Sequence, residues 1–362
     1  MKDMVKYILF LKPYLLIWFL LFKGLLRRLM YKKKIKNDIL LMVFLIILPL
    51  VVSIVALSFG RLNIPLNSIL KFFKGEGIET KYLLTITNIR IPRIIATMLV
   101  GASLPLAGLI FQSYFSNPLA TPDTLGVASG SSFGAALGIL LGFNIFGIEL
   151  SAFLFGIFTV VLTGITGLKR DESKQTIILA GIIVGSLFQS LTSLVKFVAD
   201  TDTVLPSITF FLMGSFQSVG KETLYVSAPI IIICIMVIFL LRWRINLLTV
   251  DDDIVKTLGV NINFLRMIVI ISATILTSVS IAMAGQVGWV GLIVPHFCRL
   301  LVGENHTKLV PFTISIGISF MVIVDTISRS MVASEIPISI LTSMVGAPFF
   351  IYMLRSRRGV KL

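Results

Sequence analysis

Ten apolar runs, each close to the length of a bilayer crossing and parted by short breaks rich in polar, Pro or Gly residues, leave this chain few ways to fold. They fall at about 39–57, 94–114, 126–143, 150–168, 176–195, 224–241, 267–284, 287–301, 310–327 and 336–354. A hydrocarbon core takes about 20 mostly apolar residues per helix, and inside it a helix satisfies its own backbone. The expected fold class is therefore an all-α polytopic membrane protein with ten transmembrane helices. A soluble domain, in which about 25% of residues would be charged, is excluded by the 14% found here. Pro49, Pro105, Pro295 and Pro348 lie within runs and are expected to break or kink helices.

The net charge of +15 does not point to nucleic acid, because the basic residues flank apolar runs instead of forming a polar domain. With the N-terminus inside, 23 of the 32 Lys and Arg lie on the cytoplasmic side and nine outside, the asymmetry that orients membrane proteins. Both termini are then expected in the cytoplasm of a multi-pass protein of the cytoplasmic membrane. Residues 1–37 read as a basic cytoplasmic or interfacial extension, with an extra span as the alternative. Residues 38–355 read as the permeating domain, with extracytoplasmic segments at 58–93 and 197–222 and a cytoplasmic segment at 242–266; residues 356–362 are a cytoplasmic tail. Six of the nine outside charges, Arg61, Lys71, Lys74, Lys81, Arg90 and Arg93, crowd into the first extracytoplasmic loop. That concentration reads either as a tolerant soluble loop or as a docking surface for an acidic partner.

Little in the spans can do covalent chemistry. Cys234 and Cys298 sit in apolar runs without metal-ligand spacing, and His296 and His306 lack a nearby Cys or carboxylate cluster, so no metal site is expected. His296 reads as a hydrogen-bonded packing residue. A phosphate-binding loop needs GxxxxGK[ST]; the nearest approach, Gly220-Lys221, is followed by Glu222. Any uphill work must draw on a partner or an ion gradient, and carboxylates or histidines in series for a proton relay are missing. Gly130, Gly134, Gly138 and Gly142 share one helix face and Gly181 and Gly185 repeat the spacing, which lets helices approach closely. Asp325 and Arg329, four apart, read as an ion pair that either seats a helix end or leaves Arg329 free to meet a partner. In the cytoplasmic segment Asp251, Asp252 and Asp253 suit a helix N-terminus and Gly259 its C′ position, while Asn261 or Asn263 suits the cap of a second short helix. Two such helices would form a rigid knob; an ordinary loop is the alternative.

Taken in order, these segments resemble one family. The run Arg90-Ile91-Pro92-Arg93, Gly101-Ala102 through Ala107-Gly108, Asn117-Pro118-Leu119-Ala120-Thr121-Pro122, Leu125-Gly126-Val127 and Leu179-Ala180-Gly181 is similar to the FecCD family of ABC importer permeases. So are Leu258-Gly259-Val260-Asn261, the stretch from Gly285-Gln286-Val287-Gly288-Trp289 to Pro295-His296, Asp325 with Arg329, Glu335-Ile336-Pro337 and Gly346-Ala347-Pro348-Phe349. The resemblance covers about residues 39–355.

It implies the type II ABC importer permease fold, working as a homodimer or a pair of related permeases, with two cytoplasmic ATPase subunits holding the ATP and Mg, so that this chain itself carries no cofactor. An extracytoplasmic binding protein would deliver an iron-siderophore, haem or cobalamin. The resemblance also assigns Arg90, Arg93 and Arg329 to docking of that protein. It assigns Asp251, Asp252, Asp253, Lys256, Leu258, Gly259, Val260 and Asn261 to ATPase coupling, Asn117 and Leu119 to the cytoplasmic gate, and the fifth and tenth spans to the path. Residues 172–175 depart from the small hydroxyl residues of cobalamin-carrying members, which counts against cobalamin. A ferric siderophore is the expected cargo, moved by alternating access, with a gradient-driven secondary transporter or a membrane-embedded enzyme as rival classes.

Overall fold

The computed structural model describes residues 38–168, 174–250, 261–332 and 334–355, with 255 and 259 besides. Two units separate at Leu45 and Ile46; of the first only the helical residues 38–45 are described. Among the described residues the structure is helical, without strands. The helices are α1 Asp38–Ser58, α2 Leu66–Lys74, α3 Thr80–Phe115, α4 Val127–Leu140, α5 Ile145–Leu168, α6 Lys174–Val198, α7 Val204–Leu212, α8 Lys221–Leu241, α9 Ile262–Ala284, α10 Val290–Val302, α11 His306–Ser330 and α12 Ile338–Arg355.

Six of these, α3, α5, α6, α8, α9 and α11, are long and apolar enough to cross a membrane. Shorter apolar helices at Val43–Ser58, Val127–Leu140, Val290–Val302 and Ile338–Ile351 coincide with the other four expected runs. Backbone chemistry explains the shortening. Helix α4 starts after Gly126 (φ 75°) and stops before Gly142 (φ 69°), both left-handed, so a run expected at 126–143 yields 14 helical residues, a rise of about 21 Å. Helix α10 is likewise delayed to Val290, because Gly285 (φ 68°) turns the chain and Trp289 (φ 61°) holds a left-handed conformation unusual for its type.

Helix α3 differs most from expectation. It begins at Thr80, so much of the expected loop at 58–93 is helix, and a π-helical turn spans Thr85–Arg90. Pro92 follows, with no N–H to return to the preceding turn. Most of the α3 side chains beyond it are buried, so this helix is the axis around which α8, α9, α10 and α11 pack. Small residues permit that. A Cβ on Gly101 would lie 2.7 Å from the Gly317 carbonyl of α11, and one on Gly108 would overlap the Gly291 carbonyl of α10.

The glycine stripe of α4 behaves as expected in three of four places. Gly130 and Gly134 face Phe155, Thr159 and Ser151 of α5 at distances that admit no side chain, and Gly138 lies tight against Ile148, whose Cα would be 3.1 Å from a Cβ there. Gly142 is a correction: it lies past the helix end, with nothing within 4 Å of a Cβ there, and serves the turn. Gly181 presses on Thr124 and Leu125, and Gly185 packs at ordinary contact on Gly126 and Ser129.

Interhelical bonds define two ends of the bundle. At one, Lys221 Nζ donates to Asn88 Oδ1 (3.0 Å) and the backbone N–H groups of Ser215 and Ile338 to Ala284 and Gly214. At the other, Lys174 Nζ donates to Ser116 Oγ (3.1 Å) and Asn246 meets His306. They are called the Arg90 end and the Asn117 end below.

Candidate functional site

At the Arg90 end, α1, α3, α11 and the segment before α12 converge on five charged side chains. The π-helical turn ends at Arg90, and Arg93 stands in the first turn of the α-helix that follows. Arg93 donates from Nε and Nη2 to Asp325 Oδ1 (3.0 and 2.7 Å) and from Nη1 and Nη2 to the two oxygens of Glu335 (2.8 and 2.9 Å). Arg329 Nε stands 3.4 Å from Asp325 Oδ2, while its Nη2 donates to the Ala56 carbonyl at 2.6 Å. Arg90 donates to the carbonyls of Leu57 and Leu62. The last carbonyls of a helix have no partner within it; two arginines from other helices supply partners where α1 ends.

This corrects one expectation. The three arginines are 3%, 6% and 6% exposed and Asp325 is 1% exposed, so none stands free on an open rim. The ion pair of Asp325 and Arg329 is present, as a corner of a larger buried cluster. Such a cluster is costly to desolvate and holds only if each member stays paired. The sequence signal for Glu335 lay in its motif with Ile336 and Pro337, where no role had been attached to the carboxylate.

The Asn117 end holds no cluster of paired charges among the described residues; its cations Lys174 and Arg299 donate to the neutral side chains of Ser116 and Gln112. Asn117 Oδ1 accepts from Leu119 N at 2.9 Å, and Asn117 O accepts from Ala120 N, so the Asn-Pro-Leu turn is held by its own side chain. Leu119 is exposed. Beside it, Asn246 Oδ1 accepts from the His306 backbone N–H (2.9 Å) and lies 3.0 Å from His306 Nδ1. His306 Nε2 shares a 2.6 Å hydrogen bond with Ser113 Oγ of α3. Gln112, one residue earlier, donates to Gly291 O and accepts from Arg299. Sequence reading weighed His306 only as a metal ligand and passed over Asn246, because nothing in a single chain marks two residues 60 apart as neighbours.

That network abuts the expected coupling segment. Asp251, Asp252, Asp253, Lys256, Leu258 and Val260 lie outside the described residues. Val255 is helical and buried, and Gly259 has the left-handed φ of 69° expected of a C′ glycine. Asn261 is the cap, its side chain accepting from Phe264 N at 3.0 Å. The capped helix is not a second short one, however, but the start of α9, continuous from Ile262 to Ala284.

His296 is a further correction. It packs against Phe349 and Phe350 with centroid separations of 6.3 and 6.1 Å, but its buried ring nitrogens have no hydrogen-bond partner among the described residues. Cys234 and Cys298 are buried, and among the described residues no group of His, Cys, Asp or Glu is placed to hold a metal.

Along α6 an exposed face mixes Ile182, Ile183, Leu187 and Leu194 with Ser186, Ser190 and Ser193. Each serine donates to the carbonyl four residues back: Ser186 to Ile182 at 2.8 Å, Ser190 to Ser186 at 3.0 Å and Ser193 to Gln189 at 3.0 Å. Gln189 reaches Ser129 at 3.2 Å. The face is thus polar without charge.

A family model, the FecCD transport family, matches residues 45–356. The chain is 39% identical over 321 residues, 87% of it and 95% of the relative, to the molybdate import system permease protein MolB of Haemophilus influenzae. It is 31% identical to the Fe(3+)-citrate import system permease protein YfmE of Bacillus subtilis, over 89% and 97% of the two chains. A solved structure described as an inward-facing ABC transporter of metal-chelate type superposes with a TM-score of 0.79 at 37% identity, covering 87% of this chain and 98% of that one.

Proposed function

We infer cargo, partners and working cycle from one premise: this chain belongs to the FecCD transport family and is an ABC importer permease, a multi-pass membrane protein. The proposed cargo is an iron chelate, a ferric siderophore before haem or cobalamin. The proposed complex pairs two such permeases, with two ATPase subunits at the Asn117 end and a binding protein at the Arg90 end. The N-terminus and the Asn117 end would then be cytoplasmic, as the distribution of Lys and Arg favours.

The observation that carries the cargo reading is the exposed face of α6. A lipid-facing helix gains nothing from three serines in a row of turns, whereas a path for a bulky polar complex needs neutral, weakly adhesive walls. Because each hydroxyl proton is given to the helix backbone, the face offers lone pairs more than donors. That suits a chelate whose metal charge is already wrapped by its ligand. A second reading, an oxyanion, draws support from the 39% identity to a molybdate permease, but an oxyanion calls for donors.

Asn117 and Leu119 form the proposed cytoplasmic gate, with α6 and α12 lining the path. Closure of the ATPase pair would move 251–261, and the bonds from Asn246 through His306 to Ser113 would pass that movement to α3 and α11. At the other end, docking is proposed on a surface that the arginine cluster holds in shape. The test is uptake into vesicles by the complete complex, offered a labelled ferric siderophore, haem, cobalamin or molybdate. Ferric siderophore should be the substrate retained; accumulation of molybdate alone would replace the chelate reading with the oxyanion one.

A further inference from the structure

Helix α2 has no part in the transport cycle above, yet its surface is unusual. It runs nine residues, Leu-Asn-Ser-Ile-Leu-Lys-Phe-Phe-Lys, and ends in a left-handed Gly75 (φ 74°), with Glu76 N donating to Lys71 O at 2.9 Å. At about 100° per residue, its apolar residues Phe72, Ile69, Phe73, Leu66 and Leu70 sweep one continuous arc. One flank of that arc is used. Ile69 is 1% exposed in a cluster with Ala56, Leu57, Ile64, Ile86, Ile94 and Val322, and Phe72 packs at its border.

The other flank is open. Leu66, Leu70 and Phe73 are 58%, 58% and 60% exposed, and they succeed one another at the i, i+4, i+7 spacing of a single stripe. Next around the helix come Lys74 and Lys71, both exposed and at the helix C-terminus, where positive charge is favoured. Arg61 adds a further exposed charge before α2; Lys81 is spoken for by Glu79 at 3.6 Å. The order around the helix is therefore protein core, open apolar flank, then cations.

We propose that α2 is an interfacial anchor that lies along the bilayer surface, its Leu66, Leu70 and Phe73 stripe seated below the headgroups and Lys71 and Lys74 paired with anionic lipid phosphates. Charge complementarity selects this occupant: the open stripe is bounded by cations, as in helices that lie in a membrane interface, and polybasic segments gain from anionic headgroups. The connection of seven residues from the end of α1 keeps α2 beside the bilayer whichever leaflet it meets. The anchor would fix the loop that threads Leu57 and Leu62 onto Arg90, so lipid contact would bear on the charged cluster.

The test uses the full chain in lipid nanodiscs of phosphatidylcholine alone or mixed with phosphatidylglycerol. An environment-sensitive fluorophore is placed on Leu70→Cys or, across the helix, on Ser68→Cys, with Cys234 and Cys298 replaced by Ala. Quenching by lipids brominated near the headgroup should be about twofold stronger at 70 than at 68, and Lys71→Glu with Lys74→Glu should erase the difference in the anionic discs. Amide hydrogen exchange over 66–74 in the unmodified chain, expected to slow when anionic lipid is added, serves where the labelled variants fail to fold. Equal quenching at 70 and 68 with exchange indifferent to lipid charge would overturn the proposal. So would protection that arises only when an acidic binding protein is added, which would make α2 a docking helix instead.

Discussion

The two ends of this bundle keep their polar groups in opposite ways. At the Arg90 end, Arg90, Arg93, Arg329, Asp325 and Glu335 are drawn inside and spend their bonding on each other and on the last carbonyls of α1. At the Asn117 end, Ser113, His306 and Asn246 form a relay of neutral hydrogen bonds, next to an exposed turn held by Asn117. A buried ionic cluster resists displacement, because parting any pair strands a charge in low dielectric. Neutral hydrogen bonds exchange at much smaller cost. The Arg90 end is thus built to stay, and the Asn117 end to move.

The sharpest way to break this contrast is Asp325→Ala. It leaves both Arg93 and Arg329 short of a carboxylate and should cost about 3–5 kcal/mol of stability, read as a fall in the thermal midpoint of the purified protein. Replacing Arg93, Asp325, Arg329 and Glu335 together by apolar residues of similar size should cost less than that single change. If Asp325→Ala were silent, the cluster would not hold this end together.

Next in size is Gly108→Val, which drives a side chain into the Gly291 carbonyl and should cost about 1–3 kcal/mol. Gly142→Ala meets open space, and only its left-handed φ opposes it. A larger penalty at 142 than at 108 would mean that the glycine stripe packs differently. Comparable to Gly108→Val is His306→Ala, which leaves Asn246 and Ser113 each one bond short, about 1–3 kcal/mol. Its informative readout is the ratio of ATP hydrolysed to cargo moved, which should rise while Asp325 variants that still fold leave it unchanged. The smallest effect expected is that of Ser186→Ala, Ser190→Ala and Ser193→Ala together, within about 0.5 kcal/mol in stability but with slower uptake.

Much of this was legible in the sequence where a local rule applied. The apolar runs located the helices, Gly130, Gly134 and Gly138 announced a close approach, and Gly259 and Asn261 carried turn and cap chemistry that needs no tertiary context. What escaped was set by distance along the chain. Arg93 and Glu335 are 242 residues apart, so the arginine motif read as surface charge awaiting a partner, when its partners lie in the same polypeptide. The helix beginning at Thr80 was hidden because its first turns mix apolar residues with Lys81, Thr85, Thr87 and Asn88, and hydropathy marks only where a helix enters apolar surroundings. Gly142 kept the four-residue spacing of its neighbours after the helix had already stopped, a reminder that periodicity outlives the element that produced it.

The central claim is that this permease supplies a path whose energy comes from a separate ATPase. It is tested most directly by reconstituting the permease in liposomes with and without its ATPase and binding protein, and following labelled ferric siderophore. Uptake that requires ATP and both partners, and persists when ion gradients are collapsed, is the predicted result; uptake by the permease alone, driven by a gradient and indifferent to ATP, would contradict the account.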